Sequence, residues 1–153
     1  MKKKFTDKQR LILKRYIDKA IRREIKKVYD GYIDETDKLS TFGHTADRNV
    51  WMLEDLKYLK KSPEFKQDFW NAHDYLSRSS GAIWNGRVDL AKNNFRIANH
   101  SLNNMINGLN DKIANYQAQN NRSAEMFLRK EKGVLSRIQS VIKSMISYPN
   151  SKW

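Results

Sequence analysis

Cysteine is absent from the chain, proline occurs twice and glycine six times. The first absence excludes disulfides, thiolate nucleophiles and Cys-ligated zinc. So few chain breakers argue against an all-β fold, which needs a turn every few residues. A membrane-spanning helix needs roughly 20 consecutive apolar residues, and the sequence has no such run. The opening Met1-Lys2-Lys3-Lys4-Phe5 has the charge of a secretory leader without its apolar core, because Lys8, Arg10, Lys14 and Arg15 intervene. The expected localisation is therefore cytoplasmic.

Catalytic constellations are equally thin. The three histidines, His44, His73 and His100, fall in different predicted elements. None has the spacing of a zinc-binding His-Glu-x-x-His or of a di-iron Glu-x-x-His pair. No glycine-rich phosphate loop and no Gly-x-Ser-x-Gly elbow occurs. The expectation is a protein without catalytic residues, metal or cofactor.

What the sequence has in excess is positive charge: 30 Lys and Arg against 17 Asp and Glu, a net of +13 over 153 residues. Its distribution is uneven. Residues 1–29 carry twelve Lys/Arg against Asp7, Asp18 and Glu24, whereas residues 30–55 carry seven acids against Lys38 and Arg48. Two basic ends separated by an acidic segment make a field that attracts polyanions.

Periodicity predicts an all-α fold, a bundle of about five helices in one domain spanning 1–153. Thr6-Asp7-Lys8-Gln9 reads as a capping box opening a basic amphipathic helix over 1–31. Its apolar face (Leu13, Tyr16, Ile17, Ala20, Val28) is expected to pack on the core. Lys8, Arg15, Lys19, Arg22 and Lys26 gather opposite it within about 60° of arc. Residues 32–45 read as an acidic connector, and 46–80 as two short helices, the second opened by Ser62-Pro63-Glu64. The Trp51, Trp70 and Trp84 side chains sit at apolar spacing and are expected in the core.

The strongest pattern lies over 82–147. Trp84, Val88, Ala91, Phe95, Ala98, Leu102, Met105, Leu109, Lys112 and Tyr116 alternate steps of four and three, broken only by Lys112. Such a run specifies a long helix packed along a narrow seam. Gln119-Asn120-Asn121-Arg122 makes a turn, and Ser123 is the expected cap of a last helix. That helix has one apolar row at 124, 127, 134, 138, 141 and 145, and another at 128, 135, 142 and 146. A short turn between long helices predicts an antiparallel hairpin dominating the bundle, whose seam also offers a route to homo-oligomers.

Two functional readings follow. In the first, the chain is a non-catalytic accessory protein that binds DNA or RNA with little sequence preference. It grips phosphates through Lys8, Arg15, Lys19, Arg22 and Lys26, with Arg129, Lys130 and Arg137 of the last helix added. In the second, it is a protein-interaction module, an inhibitor or adaptor of a phage or mobile element, docked on a nucleic-acid-processing enzyme. Its anchors would be the aromatic side chains least needed by a core, Tyr32, Phe42, Tyr148 and Trp153. Membrane attachment through the first helix is the weakest option, because that helix is expected to spend its apolar face on the core.

Overall fold

The computed structural model describes residues 6–35 and 38–153, with the side chains of residues 6–21, 23 and 41–153. The described residues are almost wholly helical and contain no strand. Six α-helices follow in order: α1 Asp7–Glu35, α2 Lys38–Glu54, α3 Lys57–Lys61, α4 Lys66–Trp84, α5 Val88–Ala118 and α6 Arg122–Ser147. A 3-10 turn, Asn150–Lys152, ends the chain. The chain divides into two compact units, residues 1–38 and residues 39–153.

In the first unit, the capping box opens α1 as its residue types require. The Gln9 N–H donates to the Thr6 hydroxyl (3.1 Å) and the Thr6 N–H to the Gln9 amide oxygen (2.9 Å). The helix continues past Gly31, where the sequence suggests a stop, to Glu35. A lone interior glycine costs only about 1 kcal/mol, so it does not by itself end a helix. The apolar face expected to be buried is exposed where its side chains are described: Leu13, Tyr16, Ile17 and Ala20 are all on the surface. Val28 and Glu24, the carboxylate on that face, lie outside the described side chains.

In the second unit, α4 packs on α5, α5 on α6, and α3 on α4. The core is a contiguous apolar cluster including Leu53, Leu59, Phe69, Leu76, Phe95, Leu102, Leu109, Leu135 and Ile142. The seam of α5 is buried from Ala91 to Leu109 as its spacing predicts. Trp84 is not on it: α4 runs on to Trp84, and α5 starts only at Val88.

The segment 32–45, read as a connector, is helical over most of its length, since α2 begins at Lys38. Phe42, packed on the core, continues the buried row Ala46, Val50, Leu53 one turn toward the N-terminus. Gly43 accepts the Trp84 indole so closely that a Cβ there would lie 2.5 Å from the ring. Tertiary packing thus outweighs the local preference of a Ser/Thr/Gly-rich stretch. A similar contact explains Gly108 inside α5, where a Cβ would lie 2.5 Å from the buried Phe65 ring.

Helix ends follow backbone geometry. Gly86 (φ +72°) and Asn120 (φ 54°) adopt the left-handed conformation after α4 and α5. In both, a six-to-one bond closes the turn, from Arg87 N–H to Ala82 C=O and from Asn121 N–H to Tyr116 C=O. Asn121, not Ser123, caps α6, its side chain accepting the Ala124 N–H at 3.3 Å. The serines that suggested an end at 79–80 lie inside α4 because their hydroxyls find tertiary acceptors. Ser79 donates to the Ala91 carbonyl (3.1 Å) and Ser80 to the Asp47 carboxylate.

Lys112, the one break in the α5 seam, meets Glu64 at 2.8 Å, and this pairing holds its ammonium above the usual lysine value. The three tryptophans expected in the core are exposed instead, Trp51 most of all at 64%. Amphipathic helices place such rings at the margin of an apolar face, where periodicity alone does not separate rim from centre.

Candidate functional site

Helix α6 carries side chains that line an open surface cleft of the second unit. At 100° per residue, Phe127, Lys130, Val134 and Arg137 fall within about 80° of arc on one face. This face borders the buried row Leu128, Glu131, Leu135, Ile138, Ile142 and Met145. The row at 127, 134 and 141 is therefore flanking rather than central, and Phe127 is 49% exposed.

A cleft of about 380 Å³ opens between this face and the junction of α2 with α3. Its apolar lining is Met52, Leu56, Phe127 and Val134; Lys57, Lys130 and Arg137 supply positive charge, and Asp55 and Glu131 negative. Phe127 also lines a second, shallower depression of about 460 Å³, shared with Lys57, Tyr58, Lys61, Ser62 and Pro63. The ring is thus a partition between two hollows. Tyr58 meets it edge to face, with centroids 6.3 Å apart.

Glu131 is only 6% exposed, and its position has a structural cause. One carboxylate oxygen accepts the Tyr58 N–H at 2.9 Å and the other the Leu59 N–H at 3.1 Å. Helix α3 has no side-chain cap of its own. Its unpaired N-terminal donors are satisfied from α6, where the positive end of the helix dipole also favours a carboxylate. Burial pushes Glu131 above the ordinary carboxylate value, and the two N–H donors pull the opposite way. The signal was legible: a carboxylate seven residues after Ala124 and four before Leu135, on an otherwise apolar face.

The side chains expected to contact phosphate divide between the units. On α1, Lys8, Arg15 and Lys19 are exposed and have no acidic partner among the described residues. Arg22 and Lys26 lie outside the described side chains. On α6, Lys130 and Arg137 share the cleft, whereas Arg129 projects elsewhere and is tied to Glu125 at 3.0 Å. Lys57 and Lys61, absent from the sequence reading, join Lys130 and Arg137 around Phe127.

Three of the four expected protein anchors pack on one another. Phe42 meets Tyr148 edge-on at 5.2 Å and Trp153 at 4.4 Å, and all three are half-buried. Lys92, itself buried, donates to the Tyr148 carbonyl and the Asn150 amide oxygen and lies 5.6 Å from the Trp153 ring. Tyr32, the fourth, lies outside the described side chains.

Other polar side chains singled out by their residue type are engaged in structural contacts. His73 pairs with Glu54 at 2.8 Å, not with its sequence neighbours Asp68 and Asp74. Gln139 donates to Asn99 and Asn103, and these bonds join α6 to α5. Among the described residues no cluster of three or more His, Asp or Glu could hold a metal, and no helix is long and apolar enough to cross a membrane. Comparison with protein-family models, with curated proteins and with solved structures gives no match.

Proposed function

We propose that this chain is a non-catalytic nucleic-acid-binding accessory protein that grips phosphates through basic helical faces. The observation that carries the reading is the basic stripe of α1. Lys8, Arg15 and Lys19 fall within about 40° of arc, exposed and without acidic partners among the described residues. Each lysine or arginine that reaches a phosphate releases condensed counterions, which gives affinity without sequence preference. The cations around Phe127 supply a second basic face on the other unit. The proposal sets the protein in the cytoplasm, with no cofactor.

An antiparallel α5–α6 hairpin belongs to the same reading. Its support is the pairing of Lys92 with Tyr148 and Asn150, and of Asn99 and Asn103 with Gln139, as α5 advances and α6 returns. The alternative, an inhibitor or adaptor docking on a nucleic-acid-processing enzyme, has less support. Phe42, Tyr148 and Trp153 are engaged with each other rather than presented outward.

Peripheral binding to anionic lipid gains one favourable observation, the exposure of Leu13, Tyr16, Ile17 and Ile21 beside the basic stripe. Arg10, however, falls within that apolar arc, and Lys14 lies at its edge.

The test is the salt dependence of binding to duplex and single-stranded oligonucleotides. Replacing Lys8, Arg15 and Lys19 together by Gln is expected to flatten the slope of log affinity against log salt by about two to three units. An unchanged slope in a folded variant would refute α1 as the phosphate-binding face. Binding to anionic vesicles with no binding to either oligonucleotide would replace nucleic acid by lipid.

A further inference from the structure

We infer that the Phe127 cleft receives an unpaired base, so that the second unit binds single-stranded nucleic acid in preference to duplex. This inference rests on the nucleic-acid reading and adds to it a site and a substrate class.

Three observations converge on Phe127. First, the ring is half exposed although it sits in an apolar row of α6, and hollows of about 380 and 460 Å³ flank it. Spaces of this size lie within the range of small-ligand pockets and are large enough to admit a planar base. An amphipathic helix would need anchors spread over two turns. Second, the ring makes a T-shaped contact with Tyr58, whose own backbone N–H is fixed by Glu131. A held aromatic platform loses little conformational freedom when a base stacks on it.

Third, Lys57, Lys61, Lys130 and Arg137 surround the two hollows against Asp55 and Glu131. Glu131 is already engaged by two N–H donors. An aromatic face among cations is the combination that binds single strands: bases stack on the ring while phosphates lie against the positive charge. Within a duplex the base faces are stacked on their neighbours, so only the cations could contribute. An acidic peptide shares the charge complementarity but not the need for an open ring face.

The experiment measures binding of the full chain to a fluorescent 12-nucleotide single strand and to the matching duplex at fixed salt. Wild type is expected to favour the single strand. Phe127→Ala should weaken single-strand binding by about tenfold or more, since stacking contributes appreciably per base, and leave duplex affinity unchanged. Phe127→Trp should restore it, and unchanged far-ultraviolet circular dichroism and melting in both variants would establish that the fold is intact.

Equal affinity of Phe127→Ala and wild type for the single strand would overturn the inference while leaving phosphate binding through α1 standing. Absence of binding to either oligonucleotide by wild type would overturn both. An Asp/Glu-rich apolar peptide whose binding is lost in Phe127→Ala, with single-strand binding retained, would reassign the cleft to a protein partner.

Discussion

Replacing Glu131 by alanine removes the side chain that, among the described residues, satisfies the start of α3. Two charge-assisted bonds are lost, to the Tyr58 and Leu59 N–H groups, and the second of these is buried. Leaving a buried donor unpaired costs about 1–3 kcal/mol, more when its partner was charged. Against this, the variant no longer desolvates a carboxylate, which recovers part of the loss. The expected net destabilisation is about 2–4 kcal/mol, a urea midpoint lower by about 1–2 M at a slope typical of a small protein. Glu131→Gln keeps one acceptor and turns an amide N–H₂ toward the other donor, so its cost should be about half as large.

The pH dependence carries an independent sign. Burial raises the folded-state value of Glu131 above the ordinary 4.5, so the folded protein binds this proton more readily than the unfolded chain. The pH-dependent part of the Glu131 contribution is therefore fully present below 4.5 and is lost as pH rises through the raised value. Wild type should gain stability relative to Glu131→Gln as pH falls through that window, read by urea unfolding followed by circular dichroism. An unchanged midpoint in Glu131→Ala would refute the capping argument, whereas a wild-type advantage over Glu131→Gln that grows as pH rises would mean that the two N–H donors outweigh burial.

Two further outcomes test the packing. Leu102→Ala, at a fully buried position of the α5 seam, should cost about 2–5 kcal/mol in chemical denaturation; a midpoint equal to wild type would disprove the seam. Gly108→Ala and Gly133→Ala make a matched pair within long helices. A Cβ at Gly133 meets nothing within 4 Å, so that variant should gain about 0.5–1 kcal/mol of helix propensity. At Gly108 the collision with Phe65 should reverse the sign, costing about 1–3 kcal/mol in the same assay. Stabilisation at both positions would mean that Phe65 does not lie on Gly108.

The sequence by itself determined the helical class, the capping box at Thr6 and the seam from Ala91 to Leu109. Each of these depends on spacing along one chain: hydrogen bonds within a turn, or apolar residues returning every three or four positions. The helices do not break at 31, 46 or 80, where the sequence suggests boundaries, because glycine and serine are only weak local signals. Hydroxyls that find acceptors across the fold, and rings that settle on glycines, outweigh them.

The candidate site was half legible. Lys130 and Arg137 were read from charge, whereas Lys57 and Lys61 come from a segment more than sixty residues away, and only the fold brings them to the same ring. Helix α6 offers two adjacent apolar rows, and its sequence does not choose between them. The choice falls to its neighbours. When α6 turns so that Glu131 meets the two N–H donors of α3, Leu128 and Leu135 go inward and Phe127 is left at the surface. A buried carboxylate must find its donors, and that requirement of the tertiary structure decides which aromatic ring faces solvent.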